Sequence, residues 1–246
     1  MNVRTRPVDY LHAGSELRGW LAWDEDWTTP RPGVLVAHDG IKSRAGFEKT
    51  RAEELARLGF AGFVLDVYGS EVFGSSPDDA RILMRPFQDD RAFLLARLQA
   101  GLETARSQPE IDGERLAAIG YCFGGLCVLD LARAGASLRG VASFHGLLEA
   151  PPPTRRDAGP RAIEARVLVL HGWDDPFVPP EQVAAFADEM SRAEADWQLI
   201  AFGRARHAFT NPTARMPEQG ILYDEAANRR SWRALEGFLA ELFPPA

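Results

Sequence analysis

Short apolar runs separated by longer stretches of helical period constrain this chain more than any other feature of its sequence. The runs at 34–37 (VLVA), 63–65, 116–119, 141–144 and 167–170 are brief and continuously apolar, the pattern of strands buried on both faces. The stretch 197–202 has the make-up of a further strand. Between them Val183, Phe186, Ala187 and Met190 recur at i, i+3, i+4 and i+7, and Trp232, Leu235, Leu239 and Leu242 follow a similar spacing near the C-terminus. Each set is the buried stripe of an amphipathic helix. Strands alternating with helices predict an α/β fold with a mostly parallel central sheet and helices on both faces. Residues 3–23 instead alternate polar with apolar, which predicts an antiparallel hairpin at an N-terminal sheet edge. Residues 77–102 have helical character, but Pro86 lacks an amide donor and its ring crowds the preceding turn, so two helices divided there are expected.

Composition fits a single domain, 1–246, and removes several functions. The 246 residues are 46% hydrophobic and 26% charged, with glycine and proline scattered and neither a repeat nor a linker in view. The proline-rich segment 150–160 (APPPTRRDAGP) is expected to be an exposed excursion. A net charge of −7 with dispersed basic residues would repel a phosphate backbone, so no nucleic-acid partner is expected. Only Lys42 and Lys49 are lysines, which leaves few candidates for Schiff-base or P-loop chemistry. Residues 1–14 lack the apolar core of roughly 7–15 residues found in secretory signals, and no run approaches the ~18 residues of a membrane span. Cys122 and Cys127 fall at a predicted helix start where their side chains diverge, so free thiols in a reducing, cytoplasmic setting are expected.

The chemistry concentrates after the predicted strands. Behind 116–119 comes Gly120-Tyr121-Cys122-Phe123-Gly124-Gly125, and then a helical stretch at 126–134. This is G-x-C-x-G, a nucleophile elbow with cysteine in the serine position. Glycines two residues either side let the chain reverse without collision, and the N–H groups of the new helix favour a thiolate. The bland alternative is a tight turn that holds a buried cysteine. Behind 167–170 comes His171-Gly172-Trp173-Asp174-Asp175-Pro176-Phe177-Val178-Pro179, and behind Phe202 comes Gly203-Arg204-Ala205-Arg206-His207-Ala208-Phe209. The order nucleophile, acid, histidine suits this kind of site. Either Asp174 or Asp175 could orient His207; Asp175 is preferred, with Asp174 capping the turn. A surface loop histidine is the plain alternative for His207. His145 and His171 also stand at strand ends, where packing or a hydrogen bond to a neighbouring loop is the simpler role and direct participation the alternative. An oxyanion needs two donors, assigned to the Phe123 backbone N–H and to that of Gly40 or Ile41 in His38-Asp39-Gly40-Ile41-Lys42. Asp39 is unexpected beside a thiolate, and a turn cap is its other reading.

These residues together resemble the dienelactone hydrolases, cysteine hydrolases of the α/β-hydrolase fold. The likeness runs from His38-Asp39-Gly40 through Leu65-Asp66-Val67-Tyr68-Gly69, the Cys122 elbow and the Asp174-Asp175 turn to His207-Ala208-Phe209-Thr210-Asn211-Pro212. The resemblance implies Cys122 as nucleophile, Asp175 and His207 as its partners, and Asp39 as a thiol-activating acid where the family usually has glutamate. It also implies arginines that hold a substrate carboxylate, one of them four residues beyond the histidine, where this chain has Asn211. Arg81, Arg85, Arg204 and Arg206 are the possible substitutes, with Tyr121 a further substrate-binding candidate. The expected activity is cleavage of a small ester or lactone through a thioester acyl-enzyme, without metal or organic cofactor, by a monomer or small homo-oligomer that meets no membrane. A carboxylesterase or thioesterase acting on a neutral acyl substrate is the runner-up. A catalytically silent hydrolase fold used for binding and a Cys122–Cys127 redox pair are the rivals from other classes.

Overall fold

A computed structural model describes residues 1–44, 46–152 and 162–244; most of the proline-rich segment 150–160 lies outside the described residues. The chain divides into two compact units, Met1–Ile119 and Gly120–Ala246.

In the first unit β1 (Val3–His12) and β2 (Ser15–Asp24) form the expected antiparallel hairpin, in register from Val3 opposite Asp24 to His12 opposite Ser15. Its two-residue turn, Ala13-Gly14, has positive φ at both positions, which matches the twist of the flanking strands. β3 (Arg31–Ala37), α1 (Phe47–Arg57) and β4 (Ala61–Leu65) make a parallel β-α-β unit, and β2 joins β4 antiparallel. The strand order is β1-β2-β4-β3, with β5 (Ile111–Tyr121) next to β3 and running on into the second unit. Residues Val34, Leu35, Val36 and Ala37 are fully buried, as a strand covered on both faces requires. Helix α1 gives a weak apolar signal because charged residues occur on every turn and its buried side includes Glu48 and Arg51 beside Ala52, Leu55 and Ala56.

The predicted helix break at Pro86 is displaced. Helix α2 (Pro77–Asp89) carries Pro86 within its last turns, and α3 (Arg91–Arg106) begins beyond Asp90. A proline near a helix end forfeits one ladder bond, and its carbonyl still accepts the Asp90 N–H at 3.1 Å. The division falls at Asp90 because this residue leaves helical geometry (φ −122°, ψ 83°) and its carboxylate accepts the Phe93 N–H at 2.8 Å. Helix α3 also pins the edge hairpin. The buried Arg97 guanidinium donates to His12 Nδ1, Ser15 Oγ and the Val67 carbonyl.

The second unit holds α4 (Phe123–Arg133), β6 (Gly140–Phe144), β7 (Arg166–Gly172), α5 (Pro180–Arg192), β8 (Trp197–Phe202) and α6 (Glu225–Leu242). β6, β7 and β8 are parallel neighbours in that order. The helical stripes read from the sequence are the buried ones: Phe186 and Met190 in α5, and Leu235, Leu239 and Leu242 in α6. Two short strands absent from the sequence reading, β9 (Arg215–Met216) and β10 (Ile221–Leu222), pair antiparallel between β8 and α6. The class is therefore the expected one, a mostly parallel sheet with helices and one antiparallel edge. Among the described residues no helix is long and apolar enough to cross a membrane.

Asp90 supplies a cap that α3 needs. Asp90→Ala is expected to lower stability by about 1 kcal/mol, measured by urea unfolding, while Asp90→Asn should lose little.

Candidate active site

The elbow is built by steric exclusion. Strand β5 ends at Tyr121 and α4 starts at Phe123, so one residue, Cys122, makes the reversal at φ 54° and ψ −115°. A Cβ on Gly120 would lie 2.0 Å from the Gly124 carbonyl oxygen, and one on Gly125 would lie 2.4 Å from Ser143 Oγ and 2.6 Å from Gly146 Cα. Both positions therefore demand glycine, the first for the turn and the second for the seat of α4 on β6. The Cys122 N–H donates to the Phe144 carbonyl at the end of β6, at 3.1 Å, and its carbonyl accepts the Gly125 N–H at 3.0 Å. Cys122 is partly exposed and Cys127 is buried, both as free thiols. Phe123 opens α4, where the positive end of the helix dipole lies.

Asp175 and His207 meet as the sequence order suggests. Asp175 Oδ2 accepts His207 Nδ1–H at 2.7 Å, and Oδ1 accepts the Phe177 N–H at 2.9 Å, so both carboxylate oxygens are engaged. Asp175 and His207 are buried, whereas Asp174 is exposed, which separates the two aspartates by geometry. The His207 backbone is held on both sides, its N–H by Gly220 O and its carbonyl by the Leu222 N–H. The β9–β10 excursion thus fixes this loop, a support with no signature in the sequence beyond a few turn residues. The Phe177 ring stands edge-on to His207 at 4.9 Å.

Burial disfavours a charged imidazole at His207, but its electrostatic and hydrogen-bonding contacts with Cys122 and Asp175 outweigh it. The result is a histidine pushed up to about 10. Cys122, His207 and Asp175 therefore form one connected chain of hydrogen bonds and charges within the second unit.

The remaining sequence candidates occupy other settings. Tyr121 is fully buried and stacks on Phe144 at 4.8 Å, which makes it a core residue rather than a substrate contact. Arg81 and Arg85 are exposed on α2, within 3.4 Å of Asp78 and 3.5 Å of Asp89 respectively, each a carboxylate of their own helix. Arg206 donates to the Pro217 carbonyl at 2.7 Å. Asn211 accepts from the Thr213 N–H and hydroxyl and closes a turn. His145 bonds Thr210 through Nε2, at 2.7 Å, the neighbouring-loop role anticipated for it. His171 is buried and held below the ordinary histidine value by that burial.

In the first unit Asp39 organises its own loop. Its Oδ1 accepts the N–H groups of Ile41 and Lys42, each at 2.9 Å, the turn-cap geometry. Of the two N–H groups named as oxyanion donors in this loop, that of Ile41 is thus engaged locally. His38 Nε2 accepts the Val67 N–H, which leaves Nδ1 protonated and donating to the Asp39 carbonyl at 2.7 Å. Glu48 accepts the Asp39 N–H at 3.1 Å. Glu48 itself is buried, and this burial and the neighbouring Asp39 charge push its carboxyl up to about 7, against the Asp39 N–H and the Lys42 charge. Beyond β4, Asp66 gathers the N–H groups of Arg18, Tyr68 and Gly69 and the Lys42 ammonium, a second tether on the same loop. Sequence reasoning missed Glu48, which is one of three acids in a helix without an apolar run to set it apart. Among the described residues no group of His, Cys, Asp and Glu is placed to hold a metal ion.

A strand-end cysteine on a strained turn, with a buried histidine–aspartate pair bonded to it, is the kind of arrangement that hydrolases built on an α/β sheet use. The model of the dienelactone hydrolase family matches residues 17–243, and the chain belongs to that family. Among solved structures it is similar to a dienelactone hydrolase-like promiscuous phosphotriesterase from metagenomic libraries, with 40% identity, a TM-score of 0.89, and 99% of this chain and 100% of that one covered. An uncharacterized Caenorhabditis elegans protein is 39% identical over 160 residues, 63% of this chain and 98% of that one. A Bradyrhizobium protein described as "Probable 2-oxo-3-(5-oxofuran-2-ylidene)propanoate lactonase" is 24% identical over 217 residues, 85% of this chain and 86% of that one.

Two outcomes follow from these charges. By NMR of the imidazole nitrogens, His207 is expected to stay protonated to about pH 10 and to fall back toward the ordinary value near 6.5 in Cys122→Ala, which removes the contacts with the sulfur that raise it. For Glu48, a folded value above the ordinary 4.5 means that the native state holds the proton more tightly. Stability is therefore lost as pH rises from about 4.5 through 7 and stays lost above. Glu48→Gln, whose amide oxygen can still accept the Asp39 N–H, is expected to gain on the order of 1–3 kcal/mol over wild type at pH 8 and nothing at pH 4, by urea unfolding.

Proposed function

We propose that the protein is an ester or lactone hydrolase that works through a covalent thioester on Cys122. The observation that carries this reading is the His207 imidazole, bonded at Nδ1 to Asp175 and hydrogen-bonded to Cys122 on the elbow. In the first half-reaction the Cys122 thiolate attacks the acyl carbon, and the oxyanion is held by the Phe123 N–H and a second donor. Collapse expels an alkoxide, which takes the proton from the His207 imidazolium; with a lactone the alcohol stays tethered to the acyl group. In the second half-reaction neutral His207 removes a proton from water, the hydroxide attacks the thioester, and the carboxylic acid leaves as Cys122 is regenerated. Asp175 holds Nδ1 protonated, so Nε2 faces the reacting atoms in both halves.

The same reading takes 1–246 as one hydrolase domain and assigns the second oxyanion donor to Gly40, since Ile41 already serves the Asp39 turn. It keeps Asp39 as the acid that tunes the thiol. On substrates, dienelactone-type anions need a cationic pocket; of the named arginines, Arg81 and Arg85 face carboxylates of their own helix at the surface and Arg206 donates to Pro217 O. That favours the second reading, a carboxylesterase or thioesterase for neutral acyl groups. The phosphotriesterase relative adds phosphotriesters as electrophiles for the same sulfur.

Intact-mass spectrometry after brief exposure to activated neutral esters, an anionic lactone and an activated phosphotriester tests this. Wild type should turn over at least one ester or lactone, and His207→Ala should accumulate an adduct that maps to Cys122. Cys122→Ala should show neither. Turnover that survives Cys122→Ala would sink the mechanism, and a preference for the anionic lactone over neutral esters would restore the dienelactone-type substrate.

A further inference from the structure

The mechanism above leaves unused a second buried histidine beside the first. His145 follows the last residue of β6 and is almost completely buried, as is Thr210. Its backbone takes the left-handed φ of 37°, a conformation that side-chain-bearing residues adopt at a cost, and its N–H is held by Leu170 O at 2.8 Å, near the end of β7. The ring reaches the His207 loop at three places. It stands edge-on to His207 with centroids 5.2 Å apart, edge-on to Phe209 at the same distance, and Nε2 is 2.7 Å from Thr210 Oγ1. Thr210 comes within reach because the loop turns back on itself. Ala208 is left-handed at φ 56°, and its carbonyl accepts the Asn211 N–H at 2.9 Å.

The residue before His145 holds the other reacting group. The Phe144 carbonyl accepts the Cys122 N–H. One dipeptide, Phe144-His145, therefore grips the nucleophile's backbone with its first residue and the loop of the base with its second. We infer that His145 is a positioning residue that sets the separation between Cys122 and the His207 imidazole, through its hydrogen bond to Thr210 and its edge contact on the His207 ring. The inference rests on the proposed role of Cys122 as nucleophile. Reacting groups held on separate loops lose rate steeply with displacement, on the order of a hundredfold per ångström, so a fixed strut between them has a function that packing alone does not.

The test reads the sulfur directly and needs no substrate. The rate at which iodoacetamide alkylates Cys122 at pH 7, mapped by mass spectrometry, is compared in wild type, His145→Phe, His145→Gln, Thr210→Val and Thr210→Ser, with circular dichroism and melting temperature as checks on folding. Both His145→Phe, which keeps a ring without the hydrogen bond, and the near-isosteric Thr210→Val are expected to slow alkylation about tenfold. Thr210→Ser and His145→Gln, which keep a hydrogen-bonding partner, should recover most of the wild-type rate. The double variant His145→Phe/Thr210→Val should be no slower than the worse single one, because both remove the same bond. With any ester that wild type turns over, these losses should appear in kcat with KM changed less than about twofold. Folded Thr210→Val that alkylates at the wild-type rate would overturn this inference alone. Failure of Thr210→Ser to recover, or effects that multiply in the double variant, would do the same. A wild-type Cys122 no more reactive than Cys122 in His207→Ala would remove the nucleophile reading and this inference with it.

Discussion

The chain reversal at Cys122 is the constraint on which the second unit depends. A strand must end, a helix must begin, and a side chain must stand outward, all within one residue at φ 54°. That geometry exists because no Cβ can be placed at Gly120, 2.0 Å from the Gly124 carbonyl, or at Gly125 against Ser143 and Gly146. The same reversal brings the Cys122 N–H to the Phe144 carbonyl and aligns the start of α4 with the sulfur. The features that make the turn possible also place the sulfur at the positive end of a helix.

The charges around this turn are unequal partners. Burial works against a charged His207, and it is overcome only because the Cys122 sulfur and the Asp175 carboxylate both lie against the ring. Asp175 can play that part because its second oxygen is satisfied by the Phe177 N–H, so the buried carboxylate is fully bonded. Asp39, in the first unit, shows the contrasting use of an acid. One of its carboxylate oxygens accepts two N–H groups of its own loop, and the loop is further tethered by His38, Glu48 and the Lys42–Asp66 pair. So dense a set of polar bonds, each partly shielded from water, ties down a short segment at the end of β3.

What could be read from the sequence was what depends on local pattern. The continuous apolar runs became buried strands, and the i, i+3, i+4 stripes became the buried faces of α5 and α6, because both periodicities report burial directly. The Gly-x-Cys-x-Gly spacing located the elbow for the same local reason. What stayed hidden depends on partners distant in the chain. Helix α1 hides behind buried Glu48 and Arg51, whose polarity breaks the stripe. The division at Asp90 rather than Pro86 was set by a cap, against the stronger local signal of a proline. Tyr121 sits beside Cys122 in sequence, but it is the last residue of β5 and is fully buried against Phe144, while Cys122 makes the reversal. The Thr210–His145 bond joins residues 65 apart, and no spacing rule announces it.

Backbone strain points the same way as the side-chain geometry. Among the described residues seven other than glycine have positive φ, and three of them, Cys122, His145 and Ala208, surround the sulfur–imidazole pair. Each such residue costs roughly 1–2 kcal/mol and persists only where its surroundings over-determine it. The surroundings here are identifiable: the Gly120–Gly124 contact holds Cys122, the Leu170 carbonyl and Thr210 hold His145, and the Asn211 turn holds Ala208. A fold needing only stability could relax all three with glycine. It keeps a side chain at all three, a thiol at Cys122, an imidazole at His145 and a methyl at Ala208, so the strain is held in place by the surrounding contacts rather than relieved.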